Sequence, residues 1–144
     1  MEQAEINTIV VILLAVAWNM FKRFKEKTRP RRIAIVEDSD SDFQMYKMFL
    51  HLDNTIIDRY RTADNLPLAF AKNRPDVVIA DYYLEGHIRG DEVLKLCDKL
   101  RIPSRLVTGH EGDIIGVNPD RITRKTAGKD HVELLQSWCG SQLA

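Results

Sequence analysis

The run "DVVIA", residues 76–80, places four apolar residues in a row directly before Asp81. A strand that is apolar on both sides needs both faces covered, as in a parallel sheet packed between helices. "RIAIV" (32–36) and "SRLVT" (104–108) read as further strands of the sheet, and "TIIDRY" (55–60) and "DRITRK" (120–125) complete a set of five. Helical segments alternate with them. In "SDFQMYKMFLHL" (41–52), Phe43, Met45, Tyr46, Phe49, Leu50 and Leu52 recur at helical spacing, with Ser39, Asp40 or Ser41 as N-cap candidates. Residues 64–73 form a short helix with Asp64 or Asn65 as cap and Pro67 in its first turn. Residues 90–100 and 129–139 form two more. This alternation predicts an α/β chain with a doubly wound five-stranded parallel sheet and helices on both faces.

One segment does not fit the sheet. Residues 6–21, "INTIVVILLAVAWNMF", contain no charge. As a helix they span roughly 24 Å at 1.5 Å per residue, short of a hydrocarbon core of about 30 Å but extensible by flanking cations and Trp18 at the interface. Glu2 and Glu5 precede the run, and Lys22, Arg23, Lys25 and Lys27 follow it. A cleaved signal peptide has the opposite asymmetry. Residues 1–21 therefore read as a single-pass anchor in the cytoplasmic membrane, with the N-terminus outside and the rest of the chain in the cytoplasm. A helix buried against a partner protein is the competing reading. Residues 22–32 carry seven Lys/Arg against one Glu and form a basic linker able to meet anionic lipid, which Pro30 punctuates.

The net charge of zero hides this asymmetry: residues 33–144 hold fourteen Lys/Arg and eighteen Asp/Glu, a balance of −4. No chain-wide basic signal points to nucleic acid. Cys97 and Cys139 have neither metal-ligand spacing nor a disulfide framework and read as packed, reduced thiols.

In an open parallel sheet, ligands bind beyond the carboxyl ends of the strands. Glu37 and Asp38 end the first strand, Asp81 the third, Thr108 the fourth and Lys125 the fifth. Three carboxylates meeting at one edge are costly without a cation, so the site calls for a hard divalent ion such as Mg²⁺. Asp40 and Asp42 read as helix-start charges favoured by the dipole, and His51, His87, His110 and His131 as surface or rim residues.

The order "IVED", "DYYL", "VTG", "RK", each at a strand end, resembles the receiver domain of two-component response regulators. The resemblance covers 33 to about 140, and residues 33–144 are taken as the receiver-like domain. It implies a flavodoxin-like (βα)5 fold in which Asp81 accepts a phosphoryl group from a phosphohistidine on a histidine kinase or phosphotransfer protein. It also implies that Glu37, Asp38, Asp81 and the backbone carbonyl of Tyr83 hold Mg²⁺, that Lys125 pairs with a phosphoryl oxygen, and that the Thr108 hydroxyl bonds the phosphoryl group. The domain would then be a signalling module acting on an output protein, not an enzyme with a separate substrate.

The sequence also departs from that pattern. Thr126 follows Lys125 where the family commonly has proline, and Ile122 stands where it usually has an aromatic residue. Only 17 steps separate Thr108 from Lys125, and "GHEGDIIGVNPD" leaves room for a shortened fourth helix of about two turns. No output domain is expected beyond Ala144. These departures keep open a phosphorylation-independent pseudo-receiver that serves as a docking or scaffold module at the membrane. A haloacid-dehalogenase-type phosphohydrolase is a weaker rival, since it wants a second Asp where this chain has Tyr83.

Overall fold

The computed structural model describes residues 2–110, 112 and 114–144, and the chain divides into two compact units, Met1–Pro30 and Arg31–Ala144. The first unit is one helix, α1, Gln3–Thr28. Its 26 residues are long and apolar enough to cross a membrane. None of them is buried, and Val11, Leu13, Leu14 and Trp18 are all exposed. An all-round apolar helix is stable when lipid or protein surrounds it. The basic stretch begins inside this helix: the Lys22 and Lys25 ammonium groups lie 5.6 Å over the rings of Trp18 and Phe21. Their alkyl stems cover aromatic surface while the charges extend towards the helix end. Arg29 leaves the helix in extended conformation, as the residue before a proline must.

The second unit is a five-stranded parallel sheet of β1 (Arg31–Val36), β2 (Thr55–Tyr60), β3 (Val77–Asp81), β4 (Ser104–Thr108) and β5 (Ile122–Arg124), in the order β2-β1-β3-β4-β5. The helices are α2 (Asp40–Phe49), α3 (Leu66–Lys72), α4 (Gly90–Leu100) and α5 (Asp130–Leu143). Alternate residues of the inner strands feed opposite cores. Ile33, Ile35, Val77, Ile79 and Val107 pack with Tyr46 of α2 and with Val132, Leu135 and Cys139 of α5. Ala34, Val36, Val78, Ala80 and Leu106 pack with Leu66 and Phe70 of α3 and with Val93, Leu94 and Cys97 of α4. Both cysteines are free and buried, and burial pushes each thiol up to about 12. The five strands, the α2/α5 and α3/α4 layers and the preceding apolar helix match the expected architecture.

Of the three N-cap candidates for α2, Ser39 takes the role, its side chain accepting the Asp42 N–H at 3.2 Å. The shortening between β4 and β5 goes further than two turns. The described residues there show no α-helix, and a 3-10 turn at Pro119–Arg121 leads into β5. Gly109, Gly116 at φ 86° and Pro119 all work against a longer helix. Ile114 and Val117 still pack on the core.

Candidate functional site

The strand order reverses direction between β1 and β3, which makes the crevice at their carboxyl ends the natural ligand position. Val36 pairs with Ala80, so the next residues, Glu37 and Asp81, lie side by side at the carboxyl edge of the sheet. Glu37 is only 1% exposed. One of its oxygens accepts the Ser39 N–H at 3.0 Å and the other accepts from the Lys125 ammonium at 3.1 Å. Burial pushes the Glu37 carboxyl up to about 7, with the Ser39 N–H and Lys125 opposing and Asp81 reinforcing the shift. Asp81 is 8% exposed and lies 3.2 Å from Lys125 Nζ. Burial raises its pKa too, against the pull of Lys125 and with help from Asp38. Asp38 accepts the Glu85 N–H at 3.0 Å, so the loop after β3 leans back over it.

One carboxylate oxygen from each of Glu37, Asp38 and Asp81 lies within 4.8 Å of the other two. Adjacent ligands of an octahedral Mg²⁺ at 2.0–2.1 Å are about 2.9 Å apart and opposite ones about 4.2 Å, so the three side chains would draw together on the ion or reach it in part through its waters. The donors are all hard oxygens, and the buried carboxylates lack full compensating charge. The residues present fit Mg²⁺.

Lys125 follows β5, and its N–H donates to the Thr108 carbonyl at 2.8 Å. Its ammonium touches Asp42 at 2.7 Å, Glu37 at 3.1 Å and Asp81 at 3.2 Å. Burial opposes the charge, but the Asp42 hydrogen bond and the charges of Asp81 and Glu37 outweigh it and hold the pKa well above the usual lysine value. The structure thus brings Glu37, Asp81 and Lys125 into direct contact with Asp38 beside them. Thr108, fully buried, ends the neighbouring strand, and its hydroxyl oxygen accepts the His110 N–H at 3.2 Å. Tyr83, two residues past Asp81, packs its ring edge-on to Tyr82.

Three further residues shape the site without having been legible as site residues. Arg59, at the end of β2, lies 4.6 Å over the Phe43 ring. It donates to the carbonyls of Glu37 (3.1 Å) and Asp38 (3.2 Å) and to the Asp40 carboxylate (2.7 Å). It therefore ties the acidic turn to β2. Hydrogen bonds from Arg59 and Arg61 hold the Asp40 carboxyl below the usual range. Asp42 does sit in the first turn of α2, but it is also the shortest partner of Lys125. His131, expected at the surface, is instead 6% exposed. Thr126 N–H donates to its Nδ1 at 3.2 Å, and Thr126 Oγ1 in turn accepts the His131 N–H at 3.3 Å. This pair fixes the turn after Lys125 where no proline does so, and no peptide bond among the described residues is cis. His51, His87 and His110 are exposed, as expected.

No family model matches the chain, and no curated protein matches it. Solved structures do match. A signal receiver domain of an HD domain-containing protein from Pseudomonas fluorescens Pf-5 aligns with TM-score 0.62 and 21% identity over 80% of this chain and 98% of that one. The receiver domain of the PhyR response regulator from Erythrobacter litoralis gives 0.62 and 20%, over 80% and 91%. A CheY-like receiver domain from Methanospirillum hungatei JF-1 gives 0.58 and 21%, over 79% and 97%. With its five parallel strands in the order β2-β1-β3-β4-β5, the chain has the fold of the response-regulator receiver domains.

Proposed function

We propose that this chain is a membrane-tethered receiver that accepts a phosphoryl group on Asp81 and changes its binding to an output protein in response. One observation carries the reading: the Asp81 carboxylate sits 3.2 Å from the Lys125 ammonium and within the 4.8 Å set of acids at the end of β1 and β3. A carboxylate is a weak nucleophile, so transfer depends on alignment and on neutralising charge at the phosphoryl group. Asp81 attacks the phosphorus of a phosphohistidine on a histidine kinase or phosphotransfer protein, the P–N bond breaks, and the imidazole leaves with a proton. Lys125 meets one phosphoryl oxygen, and the Thr108 hydroxyl, whose oxygen accepts the His110 N–H, donates its O–H to another. Asp38 and Asp81, with Glu37 and the Tyr83 carbonyl, would hold Mg²⁺, which would supply the remaining neutralisation. The added charge then shifts the loops around β4 and β5 between two arrangements.

The cations that follow the apolar run support a reading with the domain in the cytoplasm and α1 as the anchor. Tethering concentrates the receiver near membrane kinases. A constitutive docking module would leave the buried acids and their lysine without a task.

The test is intact mass spectrometry of the full chain in detergent micelles, with Mg²⁺ and acetyl phosphate or phosphoramidate as donor and Asp81→Ala as control. A phosphoryl adduct present in the wild type and absent from the variant supports the reading. No adduct in the folded wild type, together with no NMR response to beryllofluoride, overturns it in favour of the docking module.

A further inference from the structure

Lys125 is held by three carboxylates, and one of them lies outside the set a cation would occupy. Asp42 Oδ2 is 2.7 Å from Nζ, closer than Glu37 at 3.1 Å or Asp81 at 3.2 Å. The Asp42 backbone is fixed by the start of α2, because its N–H is bound by the Ser39 hydroxyl at 3.2 Å. The Ser39 N–H binds Glu37 at 3.0 Å. One capping residue therefore locates two of the three partners of a lysine that lies 83 positions beyond Asp42 in the chain.

An ammonium group has three N–H donors, and these three carboxylates can use all of them. A phosphoryl group on Asp81 and a cation among Glu37, Asp38 and Asp81 both compete for the Glu37 and Asp81 oxygens that Lys125 now holds. Asp42 is the partner that neither displaces. Without it, the flexible four-carbon stem would release a strongly hydrated charge to solvent as soon as the other two carboxylates were engaged.

We propose that Asp42 is a positioning residue that keeps the Lys125 ammonium within reach of Asp81 while the cation and the phosphoryl group take its other partners. The consequence for transfer rests on Asp81 being the phosphoacceptor, whereas the hold on Lys125 does not.

The experiment compares the full-length wild type with Asp42→Asn and Asp42→Glu in detergent micelles at saturating Mg²⁺. The first readout is the ¹⁵N NMR signal of the Lys125 ammonium, assigned by its loss in Lys125→Met. The second is the initial rate of phosphoryl uptake from acetyl phosphate. Mg²⁺ affinity is measured separately from amide shifts of the site. The expected result is a water-protected ammonium signal in the wild type that is lost in Asp42→Asn and regained in Asp42→Glu. Uptake by Asp42→Asn should be about tenfold slower, with Mg²⁺ affinity changed by no more than about threefold. An ammonium that exchanges freely in the Mg²⁺-loaded wild type, or is equally protected in Asp42→Asn, overturns the proposal. A wild type that takes up no phosphoryl group but shows the Asp42-dependent signal removes Asp81 as acceptor and leaves the positioning role standing. A wild type that is phosphorylated, with Asp42→Asn indifferent in both readouts, does the reverse.

Discussion

The first residue of α4, Gly90, packs its Cα against the backbone carbonyl of Asp81. A Cβ at that position would overlap the carbonyl oxygen and lie 2.6 Å from Leu106 Cδ1. The Gly90 N–H donates to the Tyr82 carbonyl at 3.1 Å, so the helix start and the strand end form one joint. Glycine is needed here for close approach. Gly90→Ala should destabilise the fold by about 2 kcal/mol or more, even though alanine is favoured by about 1 kcal/mol within a helix. Urea unfolding of the two proteins checks the sign, and a neutral or stabilising result would mean that the joint has slack.

Asp38 is the least buried of the three clustered acids and is held in place by the Glu85 N–H. Asp38→Ala removes a hard oxygen donor and a charge, and should weaken Mg²⁺ binding by roughly tenfold or more. The amide shifts of Asp81 and its neighbours, followed through a Mg²⁺ titration, measure it. An unchanged titration would take Asp38 out of the ion's coordination.

His131 introduces a pH dependence of known sign. Burial, together with the Lys125 charge, lowers its pKa below the ordinary histidine value of about 6.5, while Asp42 and Asp130 act the other way and the Tyr46 ring packs against it. The unfolded chain then binds the proton more readily than the folded one. The stability contributed by neutral His131 is complete above about pH 6.5 and declines as pH falls through that value. Comparing urea midpoints of wild type and His131→Gln from pH 8 to pH 5 (a range of about three units around that value) isolates this contribution from that of Glu37. The gap between the two proteins should narrow towards acid, and a gap that widens would contradict the buried neutral imidazole.

The helix α1 predicts how the chain partitions. Full-length protein should remain with membranes through an alkaline carbonate wash, as a spanning helix does and a surface-bound basic segment does not. Recovery in the wash supernatant would assign residues 1–21 to a protein partner instead.

β1 and β3 were legible in the sequence because each carries an unbroken apolar run of four residues, 33–36 and 77–80, that leads straight into a carboxylate. The encounter of Glu37, Asp38, Asp81 and Lys125 followed from topology, since parallel strands deliver all their carboxyl ends to one edge. What escaped was long-range side-chain choice. Nothing local to Asp42 distinguishes a helix-start charge from a lysine partner 83 residues away. Arg59 is the penultimate residue of β2, where nothing local marks it, and it packs over Phe43 while it binds the Glu37 and Asp38 carbonyls. His131 lies in the first turn of a helix, where exposure is the usual outcome, but it packs between the Thr126 turn and the Tyr46 ring. The stretch before β5 carried its glycines openly, yet how little helix would remain there depended on how closely β4 and β5 must pair.

β1 leaves the chain almost no room to drift. Ile33 and Ile35 answer to one core, Ala34 and Val36 to the other, and Glu37 to the acids beyond. Between them these five residues answer to two separately packed layers and to the site, whereas the outer faces of the helices answer only to water. Divergence in such a molecule is expected to accumulate on its outside and to stall in this strand. That is one way a fold can stay superimposable when four residues in five have changed.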